Sequence, residues 1–290
     1  FLKLFNSSKL GFDLPNAGSK GRRETTDQSM MRDLIRQAYC PGSDNIWEPV
    51  LGTWVDKRLA IAAHLFPWRS ADLMDSIFGT GARDKLFSPV NGIFLDPAIE
   101  HALDRGFLVI VPDTNLEAKD SAAPWEDKDE RHQALKDWET TTPREYRIIV
   151  LDATPSSMQE AVFSKQLHNL EFNNLAGLHG RRLQFLNESR PRARYVWWTF
   201  LNAITQLNWK GSLKSSKSLI QNEVLKGTRY WGTHGRYVKK NILLGFVNEI
   251  GHDVSSIAES IMEHAIEEEE EEGGPADQGP DKLGLAVVAD

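Results

Sequence analysis

Apolar residues in this chain come in short bursts divided by turn chemistry, with one long helical stripe late in the sequence. Residues 1–28 are polar and read as irregular. From Met30 to Tyr39 the apolar positions Met31, Leu34, Ile35 and Ala38 share one helical face, and Pro41-Gly42-Ser43-Asp44 ends that helix. Two strand-like runs follow, 46–55 and 59–65. Turn residues at Gly52 and Asp56-Lys57 predict a β-hairpin that carries His64 at the end of its second strand. Pro67 stops the run. Ser70 to Phe78 then reads as a helix capped by Ser70, with Leu73, Met74, Ile77 and Phe78 as its apolar face. Asp96-Pro97 is a strong helix start, with an N-cap acid followed by proline at the first helical position. That helix carries Ile99, Glu100, His101, Leu103 and Asp104 and ends at Gly106.

Phe107 to Val111 predicts a strand stopped by Pro112. Residues 114–143 are charged and read as a linker or insertion with a helix over 128–138. Further strands are expected at 146–151 and 180–185. A long helix is expected from Pro191 to Trp209, with Trp197 and Trp198 as core residues, and two more over 235–250 and 254–266. The six glutamates from Glu267 to Glu272 and the Gly/Pro/Asp stretch after them read as a disordered acidic tail. The predicted organisation is a segment 1–29, a domain 30–113, a linker or insertion 114–143, an α-rich region 144–266 packed on that domain, and the tail 267–290. The fold class is α+β.

Composition changes this picture in three places. The formal net charge of −7 belongs to the tail: residues 263–290 hold ten acids and one base, so the rest, with 33 bases and 31 acids, stands near +2. Overall acidity therefore does not speak against a nucleic-acid partner. Cys40 is the single cysteine, which excludes an internal disulfide and a cysteine-rich zinc site and fits a reducing compartment. Apolar stretches fall short of a membrane span, so no membrane role is expected. The start at Phe1 reads as that of a fragment or a processed product.

The order of hairpin, His64, loop, Asn91 and acid-bearing helix is the layout of a ββα-metal core. Ala62-Ala63-His64-Leu65-Phe66-Pro67-Trp68, Asn91-Gly92-Ile93-Phe94-Leu95, Glu100 and Leu103-Asp104-Arg105-Gly106 together resemble the fungal branch of the HNH endonuclease family. The flanks Ile46-Trp47-Glu48-Pro49 and 107–113 extend the likeness. So do Leu178 to Phe185, Arg190-Pro191-Arg192-Ala193-Arg194-Tyr195 and Gly251-His252-Asp253, and the whole covers about residues 30–262. The resemblance implies metal-dependent hydrolysis of phosphodiester bonds in DNA or RNA, in the nucleus or cytoplasm. His64 would be the general base and Asn91 the residue that fixes the loop and the imidazole. The following helix would hold a divalent ion such as Mg²⁺, with Glu100 and Asp104 one turn apart on one face as its ligands.

Two departures stand out. Many such sites place an acid before the base, where this chain has Ala63, and the third signature position is Glu100 rather than His or Asn. A decayed scaffold that binds nucleic acid or protein is the alternative these departures favour. Arg181, Arg182, Arg190, Arg192 and Arg194 are candidate phosphate contacts, against their reading as solvated or ion-paired arginines. Arg229 to Lys240 mixes bases with aromatics in a way that also suits nucleic acid.

Overall fold

The computed structural model describes residues 25–116, 118–120, 123, 125–159, 174–209 and 231–232. The expected helices 235–250 and 254–266, the acidic tail, the segment 233–240 and the start of the chain lie outside the described residues. The described elements are α1 (Thr25–Tyr39), β1 (Ile46–Glu48), β2 (Thr53–Val55), β3 (Ile61–His64), α2 (Met74–Phe78) and β4 (Gly92–Leu95). After these come α3 (Pro97–Asp104), β5 (Leu108–Pro112), α4 (Lys128–Thr140), β6 (Tyr146–Val150), α5 (Ser156–Gln159) and α6 (Ala193–Trp209). Helices and small antiparallel sheets make this an α+β fold, as the apolar patterning predicts.

The strands pair as β1–β2, β3–β4 and β5–β6, all antiparallel. This corrects the expected hairpin. β1 and β2 close on each other around Gly52, whereas β3 pairs with β4, bringing His64 opposite Gly92. His64 therefore ends a strand whose partner starts immediately after Asn91.

Local chemistry explains the elements around this pair. The Asp96 carboxylate accepts the Ala98 N–H at 2.8 Å, and Pro97 occupies the first turn of α3. Such a cap is worth about 1 kcal/mol. Gly106, at φ 73°, reverses the chain into β5. The helix expected from Ser70 is instead a 3₁₀ turn, Trp68–Leu73, followed by the short α2, and no side chain caps either piece. Pro112 ends β5 from within the strand, opposite Tyr146. The helix expected from Met30 begins already at Thr25.

The strand expected at 180–185 is reduced to one bridge, Arg147 with Arg182. That segment nonetheless runs along β6: Gly180 N–H donates to Ile148, and Leu183 N–H to Tyr146, at 2.8 and 2.9 Å. Its other side holds the β1–β2 hairpin. The Gln184 N–H donates to Pro49 O at 2.8 Å, and the Trp47 indole donates to Gln184 O at 2.6 Å. The segment is a strap between two sheets, and its hydrogen bonds divide between them.

Two cores result. The larger joins β3 to β6 with α2, α3 and α6, and it includes Trp197 and Trp198, each 1% exposed. Phe66, Phe78, Tyr195 and Trp198 form its aromatic centre, with ring centroids 5.0 to 6.1 Å apart. Trp138 of α4 also enters this core, so the charged segment 114–143 contributes buried surface. The smaller core lies under α1, where Met31, Ile35 and Tyr39 meet Ile46, Val55 and Phe94. α1 sits so close to β4 that a Cβ on Gly92 would meet Ile35 and, at 2.6 Å, Met31. Gly92 thus leaves room for the ends of the Ile35 and Met31 side chains, which must shift if a Cβ is added, while its backbone angles are ordinary extended ones. Gly92→Ala is expected to destabilise the protein by about 1–3 kcal/mol through overpacking, seen as a lower urea midpoint with unchanged slope.

Candidate functional site

His64 is half-buried at the end of β3. Its ring stands edge-on to Phe87, with centroids 5.7 Å apart at 80°, and its Nε2 is shielded from solvent. The chain leaves β3, makes the 65–91 excursion and returns through Asn91, which is 0% exposed. The Asn91 carboxamide closes that excursion. Its Oδ1 accepts the Phe66 N–H at 2.8 Å, and its Nδ2 donates to Phe66 O at 3.1 Å and to Leu86 O at 2.9 Å. The Leu65 N–H donates to Asn91 O at 3.0 Å. The amide oxygen and one amide hydrogen of Asn91 thus hold Phe66, two residues after His64, and the carboxamide also holds Leu86 at the far end of the excursion. Only one orientation of the amide satisfies all three partners.

One cavity of ≈ 380 Å³ lies beside β3, and His64, Glu100 and Asp104 all line it. The last two come from α3, one helical turn apart, as their spacing predicts. His101 is exposed and is not part of this lining. Helices α1 and α6 complete the walls with Arg32, Thr199 and Asn202, which the sequence reading did not single out. Thr199 and Asn202 are polar positions three apart within an otherwise apolar helical stretch, and that interruption was the available signal. The Arg32 guanidinium donates to Ala60 O at 3.0 Å and to Lys57 O, and stacks 5.3 Å over Phe94. Burial holds its pKa below the usual arginine value.

The five candidate arginines lie elsewhere, and none lines the cavity. Arg181 donates to Val50 O and, at 2.8 Å, to Leu51 O. Arg190 pairs with Glu145 at 2.6 Å and lies 4.3 Å over the Phe185 ring. Arg194 donates to Phe78 O at 3.2 Å. These three hold the main chain and the core edge together. Arg192 is half-buried beside the Tyr195 hydroxyl. Arg182 projects outward, 77% exposed, and pairs with Asp113 at 2.9 Å.

Residues 44–111 match a family model described as HNH endonuclease. The chain carries an HNH endonuclease domain. The matched span of the HNH domain runs from β1 to β5 and includes His64, Asn91, Glu100 and Asp104. The five arginines, Arg32, Thr199 and Asn202 lie outside it. A search of curated proteins and a search of solved structures each returned no match. No helix among the described residues is long and apolar enough to cross a membrane.

The HNH family implies a divalent metal. Among the described residues, no three His, Cys, Asp or Glu side chains form a group that could hold one. What the cavity offers is two carboxylates, Glu100 and Asp104. Mg²⁺ is commonly bound by one or two carboxylates, with water and substrate phosphate completing its shell. The donor set fits that kind of open site and does not fit a closed, protein-only cage.

A fully buried acid lies in the HNH domain, away from the cavity lining. Glu48, 0% exposed, accepts the Leu51 N–H within the β1–β2 turn. Burial pushes its carboxyl up to about 8, with the nearby Asp96 adding to the rise and the Leu51 and Arg181 interactions opposing it. The folded protein therefore holds this proton where the unfolded chain has released it.

Two outcomes are expected. Asn91→Ala leaves the Phe66 and Leu86 main-chain groups without their buried partner and should cost at least ~2 kcal/mol in denaturant unfolding. For Glu48, the raised folded pKa stabilises below the unfolded value near 4.5 and is lost as pH rises through about 8. Stability should fall across that window by at most about 1.4 kcal/mol per pH unit, and Glu48→Gln should flatten the slope measured by urea titration at stepped pH.

Proposed function

We propose that this protein is a metal-dependent nuclease that hydrolyses phosphodiester bonds in DNA or RNA. The observation that carries this reading is the shared cavity in the HNH domain, which has a histidine on one wall and two carboxylates on another. His64 is the general base that takes a proton from the attacking water, a role suited to an imidazole because this group exchanges protons near neutral pH. Asn91 is a positioning residue: by fixing Phe66 and Leu86 it fixes the chain that follows His64. Glu100 and Asp104 hold the cation. When bound, that cation supplies positive charge to the phosphate and the departing oxygen. Arg182, the most exposed of the five candidate arginines, is the one best disposed to contact a phosphate backbone beyond the cavity.

A second reading has its own support. Ala63 stands where many related sites carry an acid, and no three-residue metal cluster exists among the described residues. Both features suit a scaffold that has lost catalysis and retains binding.

Cleavage of a plasmid and of single-stranded oligonucleotides, with Mg²⁺ or Mn²⁺, separates the two. The nuclease reading expects cutting by the wild type, loss of it in EDTA, and a fall of about 10²–10⁴-fold in His64→Ala. Glu100→Ala should raise the Mg²⁺ concentration needed for half-maximal rate. Equal cutting by wild type and His64→Ala would exclude His64 as the base. A wild type that binds oligonucleotides and cuts none would establish the scaffold.

A further inference from the structure

One wall of the HNH cavity is α1, which lies outside the matched span, and it carries a charge that the hydrolytic reading does not use. Arg32 is the one lysine or arginine among the described lining residues. Arg36, one turn on, pairs with Asp33 and Asp44 at 3.9 and 3.4 Å. Arg32 has no ion pair among the described residues. Main chain holds it instead: the guanidinium donates to Ala60 O at 3.0 Å and to Lys57 O, and it lies over Phe94. Those carbonyls use two of its five N–H donors. The others belong to a half-buried cation that is fixed beside the cavity and whose burial works against its charge.

Charge balance gives such a group a task. Glu100 and Asp104 line the same cavity, and a phosphodiester brings a third negative charge to them. One divalent cation offsets two of the three, and the Arg32 guanidinium offsets the last. Its planar fork can present N–H donors to two phosphate oxygens at once. A side chain already held by two carbonyls and a ring loses little freedom in doing so. Gln28 and Ser29, one turn earlier on α1, line the same wall, which therefore offers donors and carries no acid.

We infer that Arg32 is the phosphate-binding residue of this cavity and holds a non-bridging oxygen of the phosphodiester while His64 acts on the attacking water. This rests on the nuclease reading and gives that site a residue from outside the HNH span. The contact is to the backbone of the nucleic acid, so it carries no base preference. Arg32 also ties residues 57–60 to α1. The two roles differ in what they need: tying main chain requires donors, and binding phosphate requires charge as well.

The test is fluorescence anisotropy of a labelled single-stranded oligonucleotide with the full chain in Ca²⁺, across a series of KCl concentrations. Ca²⁺ takes oxygen ligands as Mg²⁺ does, and a gel run afterwards checks that the probe is intact. For wild type the logarithm of affinity should fall linearly with the logarithm of salt concentration. Arg32→Gln and Arg32→Met should each make that slope shallower by about 0.7, the share of one phosphate on a single strand, and weaken binding about tenfold at low salt. Arg32→Lys should keep the wild-type slope. A urea melt of each variant establishes that it is folded in the assay. Unchanged slopes in both neutral variants, with a wild type that cuts in Mg²⁺, overturn this inference and leave the nuclease reading standing. So does a slope lowered as much in Arg32→Lys as in the neutral variants. Shallower slopes in the neutral variants of a protein that cuts nothing support the phosphate contact and remove the nuclease reading. A wild type that binds no oligonucleotide overturns both.

Discussion

The arrangement of the site depends on one buried carboxamide. The excursion between β3 and β4 contains the 3₁₀ turn at Trp68 and the short α2, neither of which has a side-chain cap. Such a segment does not fix its own ends. Asn91 does so across 25 residues by engaging both main-chain groups of Phe66, and it reaches Leu86 as well. Aspartate has the length but no donor for the two carbonyls. Leucine has the volume and satisfies none of the three. The β3–β4 pairing that sets His64 against Gly92 and the closure of the loop behind it are therefore parts of one construction. The close approach of α1 on Gly92 adds a second lock on the same strand.

The HNH span does not stand alone in the described structure. Its last strand, β5, pairs with β6, which lies beyond the matched residues. Its first hairpin is held by Gln184 and Arg181 of the strap, and its loop rests through Phe66 and Phe78 on the rings of α6. Two of the four helical or strand walls of the cavity, α1 and α6, also come from outside it. The segment that carries the family pattern supplies His64, Glu100 and Asp104, while the surrounding elements help to wall the cavity that these residues line. A change in α6 can thus alter what enters the cavity without touching His64 or either carboxylate.

Much of this was legible in the residues where the determining chemistry is local. Asp96-Pro97 and Gly106 set the ends of α3, so Glu100 and Asp104 could be placed on one face before any coordinates. Trp197 and Trp198 were assigned to the core by the helical stripe around them, and they are there. Where the choice was between distant partners, the pattern ran out. Nothing in the run before His64 distinguishes pairing with the adjacent β2 from pairing with β4, because either gives the same alternation of side chains. The strap at 180–185 looked like a strand because it does hydrogen-bond to β6, but its bonds are shared with the hairpin and do not build a ladder. The arginines were the hardest to read. Sequence shows their charge and not the carbonyls that Arg181, Arg190 and Arg194 hold.

Position 63 shows how the core limits where a charged side chain can stand. Ala63 is 6% exposed and packs in the main apolar core, and it also lines the cavity that holds His64. A carboxylate there would lose most of its hydration, an expensive place for a charge that no cation compensates. The acids that share a cavity with His64 come from α3, which brings the half-buried Glu100 and Asp104 to it beside Leu103, while Ile99 and Ala102 are buried in the main core. The helical repeat on α3 thus brings both acids to the cavity, and the small side chain at position 63 leaves the core intact beside the histidine.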